Sequence, residues 1–356
     1  MSITLSVDAM GGDHGASVTI PGSLKFLKDN PEVRLILVGD SDTIHKYLGD
    51  ELSKYSDRIE VVHTTQVVEM DEPPQLAMRN KKDSSMRVAI NLLKDERAQA
   101  IVSAGNTGAL MATARYVLRT MDGIDRPAIA KILPTIKGEV CVLDLGANVE
   151  SSPEHLLQFA IMGSQLMRGV TGKLAPTVGI LNIGSEDIKG HEGIKKASEL
   201  LKASNLNFYG NVEGDDINKG TVDVIVCDGF TGNIALKTIE GAAKMIGYFI
   251  KQEFTAGISS KIMALLSKPV LNRVKERLDP HKYNGAVLIG LNGLVIKSHG
   301  GTDEVGFYYA LQQAYHEVNA GVIKLLEEYL STNKPVSVDR DEARTELLEF
   351  KYLNML

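Results

Sequence analysis

Short runs of apolar residues alternate along the chain with longer segments that have the spacing of amphipathic helices. The runs, rich in Val, Ile and Leu, are Ile3–Ala9, Val33–Gly39, Ala100–Ala104, Val140–Leu145, Val178–Ile183 and Val222–Cys227. Continuous apolar strands that alternate with helices are typical of a parallel sheet covered on both faces. We therefore predict an α/β fold, a three-layer α/β/α sandwich around a mostly parallel sheet.

Four loops that follow predicted strands combine small residues with polar side chains. They are SAGNTGA (103–109), DLGANVES (144–151), NIGSEDIKGHE (182–192) and CDGFTGN (227–233). Open sheets of this class bind ligands beyond the carboxyl ends of their strands. If all the strands are parallel, the four loops meet at one edge and form one site. Alternatively, each Asn and Thr in these loops only caps the helix that follows it.

The loop after the first strand, VDAMGGDHG (7–15), is rich in glycine. Its glycines would let backbone N–H groups approach a phosphate closely. The dinucleotide fingerprint, however, needs glycine where Met10 stands, and Asp13 would put a carboxylate beside a pyrophosphate. A nucleotide-dependent oxidoreductase is therefore kept as the alternative function, supported by Asp40, which follows the second strand as a ribose-binding acid would.

Composition limits the class of protein. The 356 residues are 44% hydrophobic and carry a formal net charge of -6, which fits a globular α/β protein and argues against nucleic acid as a general partner. Cys141 and Cys227 lie in apolar runs, where they are expected as small core residues rather than in a disulfide or metal site. Without a signal sequence or a long apolar run, the chain is expected to be cytoplasmic and not to span a membrane.

One segment, residues 251–282, combines an apolar stripe with a surplus of Lys and Arg. It is predicted to be a protruding amphipathic helical hairpin, with Pro269 between its two apolar groups, that contacts an anionic membrane surface. The predicted contact residues are Phe254, Ile258, Ile262, Leu265 and Leu266. The alternative is a helix pair packed on the core or in a subunit interface. Residues 333–356 form a polar linker and an apolar tail of unknown role.

Seven motifs stand in the chain in this order: VDAMGGDHG, SAGNTGALM, GIDRPAIA, LDLGANVES, NIGSEDIKGHE, CDGFTGN and IKSHGGTD. Together they resemble the bacterial phosphate acyltransferase family of phospholipid synthesis, PlsX. The resemblance covers the chain from about Ser2 to Leu330, so that residues 1–332 are expected to form the phosphate acyltransferase domain.

The resemblance implies transfer of a long acyl chain from acyl carrier protein to inorganic phosphate, giving acyl phosphate and free carrier protein. It implies a fold similar to isocitrate and isopropylmalate dehydrogenases and to phosphotransacetylase, without a cofactor. It also implies a homodimer associated peripherally with the inner face of the cell membrane. The product would go to an acyl-phosphate:glycerol-3-phosphate acyltransferase.

That reaction needs donors for phosphate and for the thioester oxygen, and an acid for the departing thiolate. The predicted catalytic residues are Asn106, Lys189, His191, Lys297 and His299. The predicted substrate- and phosphate-site residues are Asp8, Gly11, Gly12, Ser103, Gly105, Thr107, Gly108, Asn148, Glu186, Asp228, Thr231 and Asn233. The acids are expected to orient cations and amides, or to hold a His or Lys in its charged form, rather than to contact phosphate. The alternative for each histidine is an ordinary surface loop position.

Overall fold

A mixed sheet forms the centre of the computed structural model, which describes residues 3–333. Its eleven strands within that range are β1 (Thr4–Asp8), β2 (Arg34–Gly39), β3 (Ile59–His63), β4 (Ala100–Ser103), β5 (Ala128–Thr135), β6 (Gly138–Leu143), β7 (Thr177–Leu181), β8 (Asn207–Val212), β9 (Val224–Val226), β10 (Gly285–Ile289) and β11 (Leu294–Ser298). All six strands predicted from apolar runs are confirmed, with ends shifted by up to about two residues. β3, β5, β8, β10 and β11 were not predicted.

Helices cover both faces of the sheet. They are α1 (Ala16–Asp29), α2 (Ser41–Leu48), α3 (Glu51–Lys54), α4 (Pro74–Asn80), α5 (Ser85–Lys94), α6 (Thr107–Leu118), α7 (Pro153–Thr171), α8 (Glu192–Ala203), α9 (Asp216–Lys219), α10 (Gly229–Thr255), α11 (Ile258–Arg277), α12 (Glu304–Asn319) and α13 (Val322–Thr332). One apolar cluster packs α1, α2, α7, α8, α12 and α13 on one face, and a second packs α4, α5, α6, α9 and α10 on the other. The three layers are thus confirmed.

The direction of the strands divides the sheet into two halves. The order across it is β3-β2-β1-β4-β11-β10-β5-β6-β9-β7-β8. β1, β2, β3, β4 and β11 are parallel to one another, and so are β6, β7, β8 and β9. Between the halves, β11–β10, β10–β5 and β5–β6 are antiparallel pairs. Three reversals make the two halves run in opposite directions.

This reversal corrects the prediction that four loops meet at one edge. Loops 144–151, 182–192 and 227–233 follow β6, β7 and β9, which lie side by side in the sheet and end at the same edge. Loop 103–109 follows β4 and lies at the other edge, with the loops after β1 and β11. We call these the opposite edge and the glycine-rich edge.

α10 and α11 contact each other and carry most of the exposed apolar surface. Within α10 only Gly229 and Gly232 are buried, and α11 buries no residue. The chain reverses at 256–257, and α11 continues through Pro269, so the expectation that Pro269 interrupts the apolar stripe is wrong. Among residues 3–333, no helix is long and apolar enough to cross a membrane.

Both cysteines are free and buried, as predicted. Burial raises the pKa of both thiols well above the usual range. The polar linker and apolar tail lie almost wholly outside the described residues.

Candidate functional site

At the glycine-rich edge, three loops pack directly against one another. A Cβ on Gly11 would lie 2.5 Å from Oδ2 of Asp8 and 2.8 Å from the backbone nitrogen of Gly105. Gly12 has a φ of 92°, and a Cβ there would lie 3.0 Å from the carbonyl oxygen of Gly300. The N–H of Asp13 donates to that same oxygen at 3.0 Å. Packing between the loops therefore requires glycine at Gly11 and Gly12.

A buried polar row crosses three neighbouring strands below these loops. Asp8, Ser103 and Lys297 are partners in register on β1, β4 and β11. The Ser103 hydroxyl donates to Asp8 at 2.6 Å, and Lys297 donates to the backbone carbonyls of Ala104 and Ser298. Burial lowers the pKa of Lys297 to about 8, although Asp8 and Asp13 favour its charged form. The two acids favour the charged form of this lysine, but its burial outweighs them.

Asn106, the predicted donor to substrate, is engaged within the protein. Its Oδ1 accepts from the N–H of Ala109 at the start of α6. Its Nδ2 donates to the carbonyls of Glu69, Met70 and Glu72 at 3.3, 2.9 and 3.0 Å. These contacts make Asn106 a helix cap and a support for loop 69–72.

The two glycines near Asn106 also pack against other parts of the protein. A Cβ on Gly108 would meet Pro74 at 2.7 Å, and one on Gly105 would meet Met86 at 2.7 Å, so both glycines admit side chains of the protein itself. Thr107 is exposed as the first residue of α6.

At the opposite edge, Asp144 organises the loop that follows β6. Its carboxylate accepts from the N–H groups of Ile129, Gly146, Ala147 and Asn148, and from the Asn148 amide. The same amide donates to the Pro127 carbonyl at 2.9 Å. Asn148 is therefore a structural residue of this loop, with its side-chain donors already used.

The start of α10 lies beside this loop. The N–H of Gly229 donates to the Asn148 carbonyl at 2.7 Å, and Asp228 caps the helix through the N–H and hydroxyl of Thr231. A Cβ on Gly146 would lie 3.6 Å from the Cβ of Asn233. The Asn233 side chain is exposed and has no hydrogen bond to another described residue. It is free to bind a ligand at the amino end of a long helix.

The third loop at this edge contains Lys189, His191 and Glu186. Lys189 and His191 are exposed, and neither side chain has a hydrogen bond or ion pair within residues 3–333. The loop is fixed instead through Asn182, which donates to the Lys189 carbonyl, and Asn211, which donates to the Glu186 carbonyl. Two cationic or donor groups thus stand near the edge where α10 begins.

α10 connects the two edges of the sheet. Asn233, Lys237 and Glu240 have the i, i+4, i+7 spacing of one helix face. Glu240 lies 3.7 Å from Nζ of Lys131, in the middle of β5, and 2.9 Å from Nζ of Lys237. Burial lowers the pKa of His299, and the charges of Lys237 and Lys297 lower it further.

The predicted residues therefore fall into two groups joined by α10. Sequence reasoning missed Lys131, Lys237 and Glu240. The two α10 residues could have been found, because Lys237 and Glu240 follow Asn233 on the same face. Lys131 lies in a strand that was not predicted, so no sequence signal placed it there. Within residues 3–333, no group of three or more His, Cys, Asp or Glu side chains is placed to hold a metal ion.

Solved structures share this fold. A phosphotransacetylase from Streptococcus pyogenes matches with a TM-score of 0.59 at 15% identity, over 91% of this chain and 94% of its own. The EutD phosphotransacetylase from Staphylococcus aureus matches with a TM-score of 0.55, over 90% of this chain and 94% of its own, also at 15% identity. A 4-hydroxythreonine-4-phosphate dehydrogenase from Burkholderia phymatum gives 0.50 at 15% identity, over 89% of this chain and 98% of its own. At such identities the likeness concerns the fold alone.

Sequence comparison is more specific. A protein named phosphate acyltransferase from Chromobacterium violaceum is 61% identical over 91% of this chain and 94% of its own length. Another with that name, from Paraburkholderia xenovorans, is 53% identical over 94% of this chain and 91% of its own. The family model described as fatty acid synthesis protein matches residues 3–325. The chain therefore belongs to the fatty acid synthesis protein family, the PlsX family that its motifs resemble.

Proposed function

We propose that the protein is a phosphate acyltransferase that moves a long acyl chain from acyl carrier protein to inorganic phosphate. The observation that carries the proposal is the 61% identity, over 91% of this chain, to a protein named phosphate acyltransferase. The carrier-bound substrate, the use of the product in glycerol-3-phosphate acylation and the likeness to isocitrate and isopropylmalate dehydrogenases rest on the resemblance of the motifs.

The chemistry balances with these two substrates. A phosphate oxygen attacks the thioester carbonyl carbon, the new C–O bond replaces the C–S bond, and the sulfur leaves as a thiolate. The proton of hydrogen phosphate ends on the thiol. Because a free thiol has a pKa of about 8.5, departure of the thiolate needs little help from an acid at neutral pH. Holding phosphate and stabilising charge on the carbonyl oxygen are the larger tasks.

The face of α10 that joins the two edges supports both tasks. Lys131, Lys237 and His299 offer positive charge or donors to phosphate, with Glu240 holding the two lysines in place. Asn233 and the first turn of α10 offer donors to the carbonyl oxygen. Lys189 and His191, at the edge where α10 begins, add cationic or donor groups.

Substitution of Asn233 tests this assignment. We expect Asn233→Ala to lower kcat/KM for acyl transfer by about 10² to 10³, because an oriented donor to developing charge is lost. The urea midpoint should not change, since the side chain has no partner to lose. Asn205→Ala is the matched control, because Asn205 is exposed and donates only to Asn333. Normal kinetics in Asn233→Ala would remove it from the site.

In the alternative, a nucleotide-dependent oxidoreductase, Asp40 was the residue expected to bind the cofactor. The Asp40 carboxylate, which would bind a ribose, instead accepts from the N–H and hydroxyl of Thr43 and caps α2. Titration with NADH and NADPH tests this alternative directly. Saturable binding of either would favour it.

Three further parts of the proposal concern partners. The chain acts as a homodimer, its α10–α11 segment attaches reversibly to the anionic inner face of the cell membrane, and its product is consumed there. Leu265 and Leu266 are 70% and 71% exposed, Ile258 and Ile262 are also exposed, and Phe254 is half-buried. Four exposed apolar side chains in one helix beside the chain reversal would suit such a surface.

A further inference from the structure

A basic patch lies on the outer surface of α6, away from the residues assigned to the reaction. Arg115, Tyr116 and Arg119 are exposed at the end of this helix. Arg87 of α5 lies against Tyr116, with its guanidinium carbon 4.9 Å from the ring centroid. We call Arg87, Arg115, Tyr116 and Arg119 the arginine patch. Three guanidinium groups and an exposed aromatic ring thus share one surface in a protein whose net charge is -6.

Arg115 is the cation of the patch that lies near a further arginine, Arg126. Its side chain has no hydrogen bond or ion pair to any residue in 3–333. Partial burial and the positive charge of nearby Arg126 both lower its pKa. The acids of the adjoining loop are Asp122, which is exposed, and Asp125, which exchanges hydrogen bonds with Gln158. An anionic group from outside would therefore gain from pairing with Arg115.

The backbone under the patch is well fixed. Arg119 ends α6 with a φ of 63°, and its carbonyl accepts from the N–H of Asn292 at 3.1 Å. The Asn292 amide also donates to the carbonyls of Leu118 and Thr120. The guanidinium groups therefore project from a rigid platform, which reduces the entropy lost when a partner binds.

The patch adjoins the edge where α10 begins. Arg126, whose positive charge acts on Arg115 of the patch, precedes Pro127. The Pro127 carbonyl accepts from the Asn148 amide, and the Asn148 carbonyl accepts from Gly229 at the first turn of α10. One short stretch of backbone thus separates the patch from the proposed acyl-transfer site. A protein bound on α6 could present a tethered thioester to Asn233 without blocking it.

We propose that the arginine patch is the docking surface for the carrier protein, which the resemblance of the motifs implies to be acidic. The inference rests on the proposed function, which makes a carrier-bound thioester the substrate. Charge complementarity selects this occupant, because an acidic protein is repelled by the net charge of the chain and attracted where arginines cluster. The other basic surface, on α11, is assigned to the membrane.

Charge reversal tests the proposal. For Arg115→Glu combined with Arg119→Glu, we expect kcat/KM for acyl-carrier protein to fall about tenfold, through KM rather than kcat, and to lose most of its salt dependence. The KM for phosphate should stay unchanged. Arg115→Lys with Arg119→Lys should restore binding. Arg34→Glu, at an exposed position of β2, is the matched control, and Arg273→Glu tests the basic surface of α11 as the alternative docking site. Binding of the free carrier protein, followed by fluorescence anisotropy, is measured in parallel.

The outcomes separate the two proposals. Loss of carrier binding in the patch variant, with Arg273→Glu and circular dichroism unchanged, supports docking on α6. Normal binding in the patch variant, or loss only in Arg273→Glu, overturns it. So does a patch variant that keeps carrier binding but no longer sediments with anionic vesicles. A parent protein that binds carrier protein but never releases it from the acyl form refutes the proposed function instead.

Discussion

At the scale of single residues, Glu317 shows how strongly burial can raise the pKa of a carboxyl group. It lies in α12 with no exposed surface, and its Oε2 has no hydrogen-bond partner in the described part of the chain. Gln313 donates to its other oxygen. Burial raises the pKa of Glu317 from 4.5 to about 8, so the carboxyl is largely protonated at neutral pH.

This shift makes stability depend on pH. Between pH 4.5 and 8 the folded protein holds a proton that the unfolded chain releases, so the free energy of unfolding falls as pH rises through this window. Glu317→Gln removes the titration. We expect this variant to be more stable than the parent at pH 7 by up to about 3 kcal/mol, with the difference vanishing towards pH 4.5.

Urea unfolding across this pH range measures the effect. Glu199→Gln, at an exposed position of α8, is the control and should follow the parent at every pH. A Glu317→Gln difference that does not change with pH would show that the carboxyl is not neutral in the folded protein.

The polar residues of the motifs were recognised from the sequence, but their roles were not. Asn106 and Asn148 stand in loops of similar composition to that of Asn233, yet contacts inside the protein use their side chains and leave Asn233 free. Capping and ligand binding require the same residue types at the same places, so a single sequence cannot separate them.

At the scale of elements, apolar runs located strands but not their directions. The reversal depends on β5 and β10. Each is followed by a tight turn, and the prediction from apolar runs did not take these turns into account. β10 and β11 are joined by a short turn containing Asn292-Gly293, a dipeptide typical of hairpins, and β5 and β6 by Ile136-Lys137. A hairpin reverses the chain, and an odd number of reversals turns one half of the sheet around. Because these hairpins were not predicted, all the strands were expected to be parallel.

At this scale the prediction concerns binding of the α10–α11 pair to membranes. We expect Leu265→Glu with Leu266→Glu to reduce sedimentation with anionic vesicles at least about tenfold, because two exposed leucines would no longer enter the lipid. Lys and Arg near the surface add up to about 1 kcal/mol each, so neutral vesicles should bind the parent more weakly.

Leu174→Glu is the matched control, since Leu174 is 83% exposed but lies outside the pair. It should sediment like the parent. Unchanged binding of the double variant would contradict membrane contact. A change in oligomeric mass or in helix content in that variant would instead indicate that the segment packs on the core or in a subunit interface, the alternative given from the sequence.

At the scale of the whole molecule, the two halves of the sheet meet under α10. The glycine-rich loops that first suggested phosphate binding are packed on one another, whereas the free donors Asn233, Lys189 and His191 stand at the opposite edge. The molecule thus offers a fixed polar row on one side and open donors on the other, with Lys131, Lys237 and Glu240 between them. This arrangement suits an anion and a thioester that must meet in a fixed orientation.

The central claim is that phosphate, and not water, takes the acyl group from the carrier protein. The direct measurement incubates the protein with acyl-carrier protein and isotopically labelled phosphate, and quantifies free carrier thiol and labelled acyl phosphate by mass spectrometry in the same samples. We predict that the two products form one to one, and that thiol release stops when phosphate is omitted. Thiol release that continues without phosphate, with free fatty acid as the product, would contradict the account.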